Sequence, residues 1–213
     1  MNPVETWHAE TIGQSAAAAL NRNGFSAQYC PGRDQVPAIM KQWLAKGASV
    51  GFGGSMTVRD LGIQDLAASA GCELLDHNAP GLEPDARKTI LRRQLTCDLF
   101  VSSSNAITLD GEIVNVDGTG NRIAALTFGP KKTVVIVGIN KIVKNLDEAH
   151  ARIETFASPM NNKRLDRANP CVKTGVCMDC KLETRICRIY SVLRMRPTMA
   201  DFSVIIVGEA LGC

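Results

Sequence analysis

Aromatic residues are scarce, at 5 % of the chain, and histidine occurs only three times. Surfaces that grip nucleic acid combine a dense basic field with aromatic stacking platforms. Here 24 Lys and Arg stand against 21 Asp and Glu, a net charge of only +3. Before residue 163 the only adjacent basic pairs are Arg87-Lys88, Arg92-Arg93 and Lys131-Lys132. Nucleic acid is therefore not an expected partner. No run approaches the roughly 20 apolar residues of a membrane span, so no membrane role is expected. The first nineteen residues carry acidic side chains in a helical pattern, without the charged start and apolar run of a signal peptide. A cytoplasmic protein is the expectation. His8, His77 and His150 form neither a metal-spaced pair nor a Ser-His-Asp arrangement. His8 and His150 fall on predicted helices; His77 follows a strand in a loop, from which it could reach a site.

What remains is an ordinary globular composition, 45 % apolar and 21 % charged. Its length suits one α/β domain over 1–213, with a cysteine-rich segment at 170–188. Helices are predicted over 4–21, 35–45, 58–70 with a break at Gly62, 84–95, 119–127, 146–156 and 163–167. Strands are predicted over 25–30, 48–52, 72–75, 99–102, 133–137 and 203–207. A hairpin over 106–109 and 112–116 turns on Asp110-Gly111, the strongest short hairpin signal. Alternating helices and apolar strands specify a Rossmann-like, mostly parallel sheet with helices on both faces, interrupted by the hairpin. Trp7 and Trp43 fall on apolar helix faces and are expected to pack.

Gly51-Phe52-Gly53-Gly54-Ser55-Met56-Thr57 follows a strand and opens a helix. Glycines bend the chain and admit a ligand to the backbone. The helix start offers free N–H groups, and Ser55 and Thr57 add hydroxyls. This is chemistry for a phosphate or carboxylate. It is neither a Walker loop nor the dinucleotide fingerprint. The same residues also suit a tight turn with Thr57 as helix N-cap.

The polar run from Asn105 through Asp110-Gly111, Glu112, Asp117 and Gly120-Asn121-Arg122 is followed by Phe128-Gly129-Pro130 and Val137-Gly138-Ile139-Asn140-Lys141. Together with the glycine loop, this run resembles the LUD-domain family, named for lactate-utilisation proteins. The resemblance implies a fold similar to ribose-5-phosphate isomerase, glucosamine-6-phosphate deaminase and the CoA transferases. It implies a metabolic protein binding a small anionic metabolite: an organic acid, sugar phosphate or CoA ester. The alternative is a non-catalytic iron–sulfur accessory subunit of an organic-acid oxidation complex. Other lactate-utilisation subunits, or further copies of the chain, would then be partners.

Asp117, past a strand and before a glycine-rich turn, is the first candidate for a general acid or base, or alternatively a helix cap. Glu112 is a weaker candidate. Asn121 lies close by, and Arg122 could hold an anion bidentately or form a structural ion pair. Asn140 and Lys141 end a buried strand, where ligands of open α/β sheets gather. Lys141 would stabilise developing negative charge. Gly53, Gly54, Ser55, Thr57 and Asn105 complete the expected ligand site.

Eight cysteines in a reducing compartment call for an explanation other than disulfides. Cys171, Cys177, Cys180 and Cys187 follow the spacing C-x5-C-x2-C-x6-C. Four thiolates can hold a [4Fe–4S] cluster or a tetrahedral zinc, or remain free redox thiols. Lys173, Lys181, Arg185 and Arg188 would offset thiolate charge. The resemblance extends to this Pro-Cys, Gly-x-Cys-x-x-Cys and Arg-x-Cys pattern. Cys30, Cys72 and Cys97 read as core, and Cys213 is assigned no role.

Overall fold

The computed structural model describes residues 2–213. Six strands form one sheet: β1 (Ser26–Cys30), β2 (Ser49–Phe52), β3 (Glu73–Leu75), β4 (Leu99–Ser102), β7 (Lys132–Gly138) and β10 (Asp201–Val207). Their order is β1-β10-β7-β4-β2-β3, and every pairing is parallel. β4, β7 and β10 are buried over nearly their full length, as continuous apolar runs require.

Helices cover both faces. Against one face lie α1 (Pro3–Arg22), through Ala16, Ala17 and Leu20, and α6 (Asn121–Thr127), through Ala125 and Leu126. Against the other lie α2 (Val36–Lys41), α3 (Met56–Asp60) and α4 (Ile63–Ser69), through Met40, Val58, Ile63 and Ala67. α5 (Pro84–Arg93) carries no buried residue, and Ile90 and Leu95 touch the core from this segment. α1 starts with a capping box at Asn2 and Glu5 and is long enough to leave Trp7 63 % exposed at its free end. The expected packing role holds only for Trp43, which packs on the core while the Lys132 ammonium sits over its ring.

The hairpin does not interrupt the large sheet. It forms a second sheet with two strands that the sequence pattern does not reveal. β5 (Ala106–Thr108) and β6 (Ile113–Asp117) pair antiparallel; β8 (Ile142–Val143) joins β5 and β9 (Ile189–Leu193) joins β6. A two-residue strand and a strand with an exposed start carry no readable alternation, hence the omission. Ile107 and Ile113 point into the core of the large sheet. Ala106 and Val114 point the other way, toward Ala149 and Ile153. Gly111 turns the hairpin at φ +80°, and a Cβ there would stand 2.6 Å from the Ala19 carbonyl carbon. No other residue lets the turn lie on α1.

Three helix boundaries are also corrected. A 3₁₀ turn over Arg33–Gln35 precedes α2, which ends at Lys41. α6 begins at Asn121, because Gly120 is left-handed. Residues 163–167 form no separate helix. α7 (Leu146–Arg152) continues through a π turn, Ile153–Ala157, into α8 (Ser158–Arg164). Pro159 has no N–H to continue the ladder, and the widened turn accommodates it. The cysteine-rich segment follows as a short α9 (Cys171–Thr174) and a loop leading into β9.

Candidate functional site

Because the large sheet is all parallel, the C-terminal ends of its strands share one edge. Gly53 and Asn140 lie at that edge, as the sequence order requires. After β2 the chain moves outward to β3, then returns through β4 to the opposite side. The crevice between β2 and β4 is thus the point where connections diverge, and ligands of open sheets bind there. A cavity of about 270 Å³ opens at this position, lined by both strand ends, by Lys141 after β7 and by Asp117 at the end of β6. This is the scale of a small metabolite.

Gly53 and Gly54 form part of the wall. A Cβ on Gly53 would collide with the Ser102 hydroxyl, so the wall needs glycine there. Ser55, not Thr57, is the N-cap of α3: its Oγ accepts from the Val58 N–H at 3.3 Å. Ser55 is extended, as an N-cap must be, whereas Thr57 is already inside the helix and fully buried. α3 has only five residues, so its dipole is small. The positive charge of the cavity comes chiefly from side chains instead. Among the described residues Arg87, Arg122, Lys141, Arg164 and Arg167 line it, against the one carboxylate of Asp117.

Arg122 sits at the seam of the two sheets. Its Nη1 donates to the Ser103 carbonyl at 3.1 Å and to Asn115 Oδ1 at 2.6 Å. Its Nη2 donates to Asn105 Oδ1 at 2.9 Å and the Val116 carbonyl at 2.7 Å, and its Nε to Asp117 Oδ1 at 3.4 Å. All five guanidinium donors are spent within the chain. Of the two sequence readings of Arg122, bidentate anion clamp or structural ion pair, the fold shows the second: it pairs with Asp117 and pins the walls, adding charge to the cavity. Asn105 is drawn into the same network and accepts from the Val116 N–H as well. Asp117 Oδ2 accepts from the backbone N–H groups of Arg122 and Ile123, both at 3.1 Å, so it caps α6 while facing the cavity.

Lys141 is 3 % exposed. Its Nζ donates to Thr57 Oγ1 at 3.2 Å and to Ser103 Oγ at 3.1 Å. Burial, together with the nearby Arg152 and Arg122 guanidinium groups, pushes its pKa down to about 7. Asn121 lines the cavity too. Asn140 does not: its Oδ1 accepts from the Leu211 N–H at 3.0 Å and its Nδ2 donates to the Gly212 carbonyl at 3.3 Å. It holds the segment 211–213 beside the site. Glu112 is buried at the hairpin, paired with Arg194 at 3.2 Å, away from the cavity.

Several further residues line the cavity, and of these Ser158 and Cys213 carry no signal in the sequence. His77 reaches the wall, its pKa lowered by burial, with its ring nitrogens against Gln94 and Asn78. Ser158 lines the cavity with a buried Oγ that has no hydrogen-bond partner. Cys213 lines it as well, near enough to Lys141 to be among the groups that act on the amine. Ser158 and Cys213 depend on elements packed from far along the chain, so no local spacing reveals them.

The four cysteines of the 170–188 segment are all free thiols. Cys171 and Cys187 are buried, Cys177 and Cys180 half-buried. Burial pushes the Cys171 thiol up, and the charges of Cys187, Cys180 and Cys177 push it the same way, so the four share one neighbourhood. The Asp179 N–H donates to Cys177 Sγ at 3.4 Å, and Arg185 Nη1 donates to the Cys180 carbonyl at 2.8 Å. Among the described residues no three His, Cys, Asp or Glu side chains converge at ligating distance. Ile186, between these cysteines, lines the cavity. Cys30 and Cys97 are core residues whose thiols burial pushes up to about 11, while Cys72 is half-buried. No helix among the described residues is long and apolar enough to cross a membrane.

A family model described as the LUD domain matches residues 13–207. A crystal structure of a DUF162 family protein from Deinococcus radiodurans superimposes with a TM-score of 0.53 at 12 % identity, covering 93 % of this chain and 98 % of that one. That likeness concerns the fold. No curated protein matches the chain.

Proposed function

We propose a function from one premise: the chain belongs to the LUD-domain family of lactate-utilisation-type proteins. Its cavity binds a small anionic metabolite, and an organic acid suits the space better than a sugar phosphate or a CoA ester. The observation that carries this reading is Lys141, a buried amine among neutral hydroxyls inside a cavity whose lining charge is mostly positive. An incoming carboxylate supplies the counter-charge that the chain withholds. Gly53, Gly54, Ser55, Thr57, Asn105 and Asn121 shape the polar wall, and Arg122 adds charge from behind it. Asp117 Oδ1 is the group placed to exchange a proton with the ligand. Titration calorimetry with L-lactate, pyruvate and inorganic phosphate tests the reading. Saturable binding of a carboxylate, weakened about tenfold or more by Lys141→Met, is the expected result. Binding indifferent to that substitution would place the ligand elsewhere.

A second role rests on a separate observation, the shared neighbourhood of Cys171, Cys177, Cys180 and Cys187. These thiolates would hold a [4Fe–4S] cluster or a zinc ion once drawn together. The first would supply electron transfer to other lactate-utilisation subunits, the second only structural cohesion. The donor set suits either group, and the Asp179 N–H on Cys177 Sγ is a bond that stabilises a thiolate. Anaerobic purification with metal analysis and visible absorption separates the two. A preparation free of iron and zinc, with Cys177→Ser as stable as the parent, removes this role.

A further inference from the structure

We propose that Lys141 is a nucleophile, whose ε-amine forms an imine with a small 2-oxo carboxylate held in the cavity. This rests on the anion-binding reading above and adds a substrate class and a covalent step to it. The amine lone pair attacks the carbonyl carbon and a C–N bond forms. The carbonyl oxygen then leaves as water with the two amine protons, giving C=N in place of C=O. No electrons change hands, so no oxidant or reductant is needed.

Three observations support the step. First, the amine lies at the wall of the cavity and almost out of solvent. It approaches from a 3₁₀ turn, Ile139–Lys141, fixed at the end of β7. Second, its two hydrogen-bond partners, Thr57 Oγ1 and Ser103 Oγ, are neutral. Lys141 takes part in no ion pair among the described residues. A lysine kept only for its charge is normally matched by a carboxylate; a desolvated lysine without one is the type that does covalent chemistry. The two hydroxyls can also pass the proton that dehydration of the carbinolamine requires. Third, the Ser158 hydroxyl on the same cavity is buried without a partner. Such a group is normally satisfied in native proteins, and turning the hydroxyl toward the cavity would let a ligand carboxylate oxygen satisfy it.

On balance the charges around the amine act in the same direction. Arg152 and Arg122 disfavour its protonation, and Asp60 and Cys213 oppose them more weakly than burial and Arg152 act. With a pKa of about 7, half of the amine is neutral at neutral pH. An ordinary surface lysine, near 10.4, is neutral in only roughly one molecule in a few thousand. Hydroxy acids such as lactate have no carbonyl to attack; they would occupy the cavity without bonding.

Borohydride trapping with pyruvate or glyoxylate at pH 6–7, followed by intact mass and peptide mapping, tests the proposal. The expected result is one reduced adduct per chain, on Lys141, suppressed by excess L-lactate and absent from Lys141→Arg. A Lys141→Arg chain that fails to fold leaves the mapped position in the parent protein to decide. Trapping should rise with pH through about 7 and level off, whereas surface lysines keep gaining up to their own higher pKa. Adducts scattered over surface lysines, or none on Lys141, overturn the proposal. If calorimetry still shows pyruvate binding in that case, the cavity reading survives and only the imine fails. If neither pyruvate nor L-lactate binds and no adduct forms, both fail.

Discussion

The two sheets differ in how they are held. In the large sheet β4, β7 and β10 are buried on both faces, between helices, and their strands are unbroken apolar runs. In the small sheet only β5 and the first half of β6 are fully buried; β8 is half-buried, and β9 begins with the exposed Ile189 and Tyr190. The large sheet stands on its own apolar surface. The small one is fastened by its hairpin turn on α1, by the Arg122 network and by pairing with strands from far along the chain. The candidate site lies at the seam between them, where rigid strand ends meet a wall that polar bonds hold in place.

The largest effect separates the two modes directly. Phe100→Ala, at the centre of the large sheet and 0 % exposed, should lower unfolding free energy by about 3–5 kcal/mol. Val192→Ala, half-buried in β9, should cost about 1 kcal/mol or less. Denaturant titration of both variants checks the pair, and equal losses would mean that the small sheet carries more of the core than its burial implies.

Next in size is the seam. Arg122→Ala leaves Asn105, Asn115 and Asp117 without a shared donor, and a loss of about 2–3 kcal/mol is expected. Arg122→Lys should recover only part of it, because an ammonium cannot span five acceptors on both sheets. A thermal melt decides; full rescue by lysine would reduce the network to a simple charge.

The smallest effect concerns the site itself and changes sign relative to the others. Lys141 has a folded pKa of about 7, below the roughly 10.4 of an unfolded lysine. Between those values the unfolded chain binds the extra proton, so stability of the parent protein rises with pH across that window. Below about 7 both states are protonated and the full penalty of the buried charge is present. A shift of this size represents roughly 4 kcal/mol. Set against the lost hydrogen bonds to Thr57 and Ser103, Lys141→Met should stabilise the protein at pH 6 by on the order of 1–2 kcal/mol, and the advantage should shrink and reverse as pH approaches 10. Melting curves of both proteins from pH 6 to 10 test it. A constant gap would show that packing, not ionisation, sets the difference.

Legibility in the sequence followed the same division. Thr133–Val137 and Ser203–Val207 are apolar enough to mark buried parallel strands, and Asp110-Gly111 marks its hairpin without help from context. β8 and β9 are invisible because a two-residue strand and a strand with an exposed start have no period to read. At the site, Lys141, Asp117 and the glycine loop stood out because strand ends and glycine-rich turns are local features. Ser158 and Cys213 did not, since nothing near them in the chain marks them. For Arg122 the sequence left two tasks open, anion clamp or structural ion pair: spacing announces a guanidinium, but only packing counts its donors and decides for the pair.

The sequence by itself determined the alternation of helix and strand, and hence a parallel sheet with one edge for ligands. Hydrophobic periodicity and turn chemistry act over a few residues, and a few residues suffice to read them. Tertiary structure alone decided that the hairpin belongs to a second sheet, that Asn140 serves the 211–213 segment and that Lys141 stands without a carboxylate partner. These depend on which distant groups arrive at the same point. Burial, charge pairing and pKa belong to the assembled neighbourhood and not to any single residue in it.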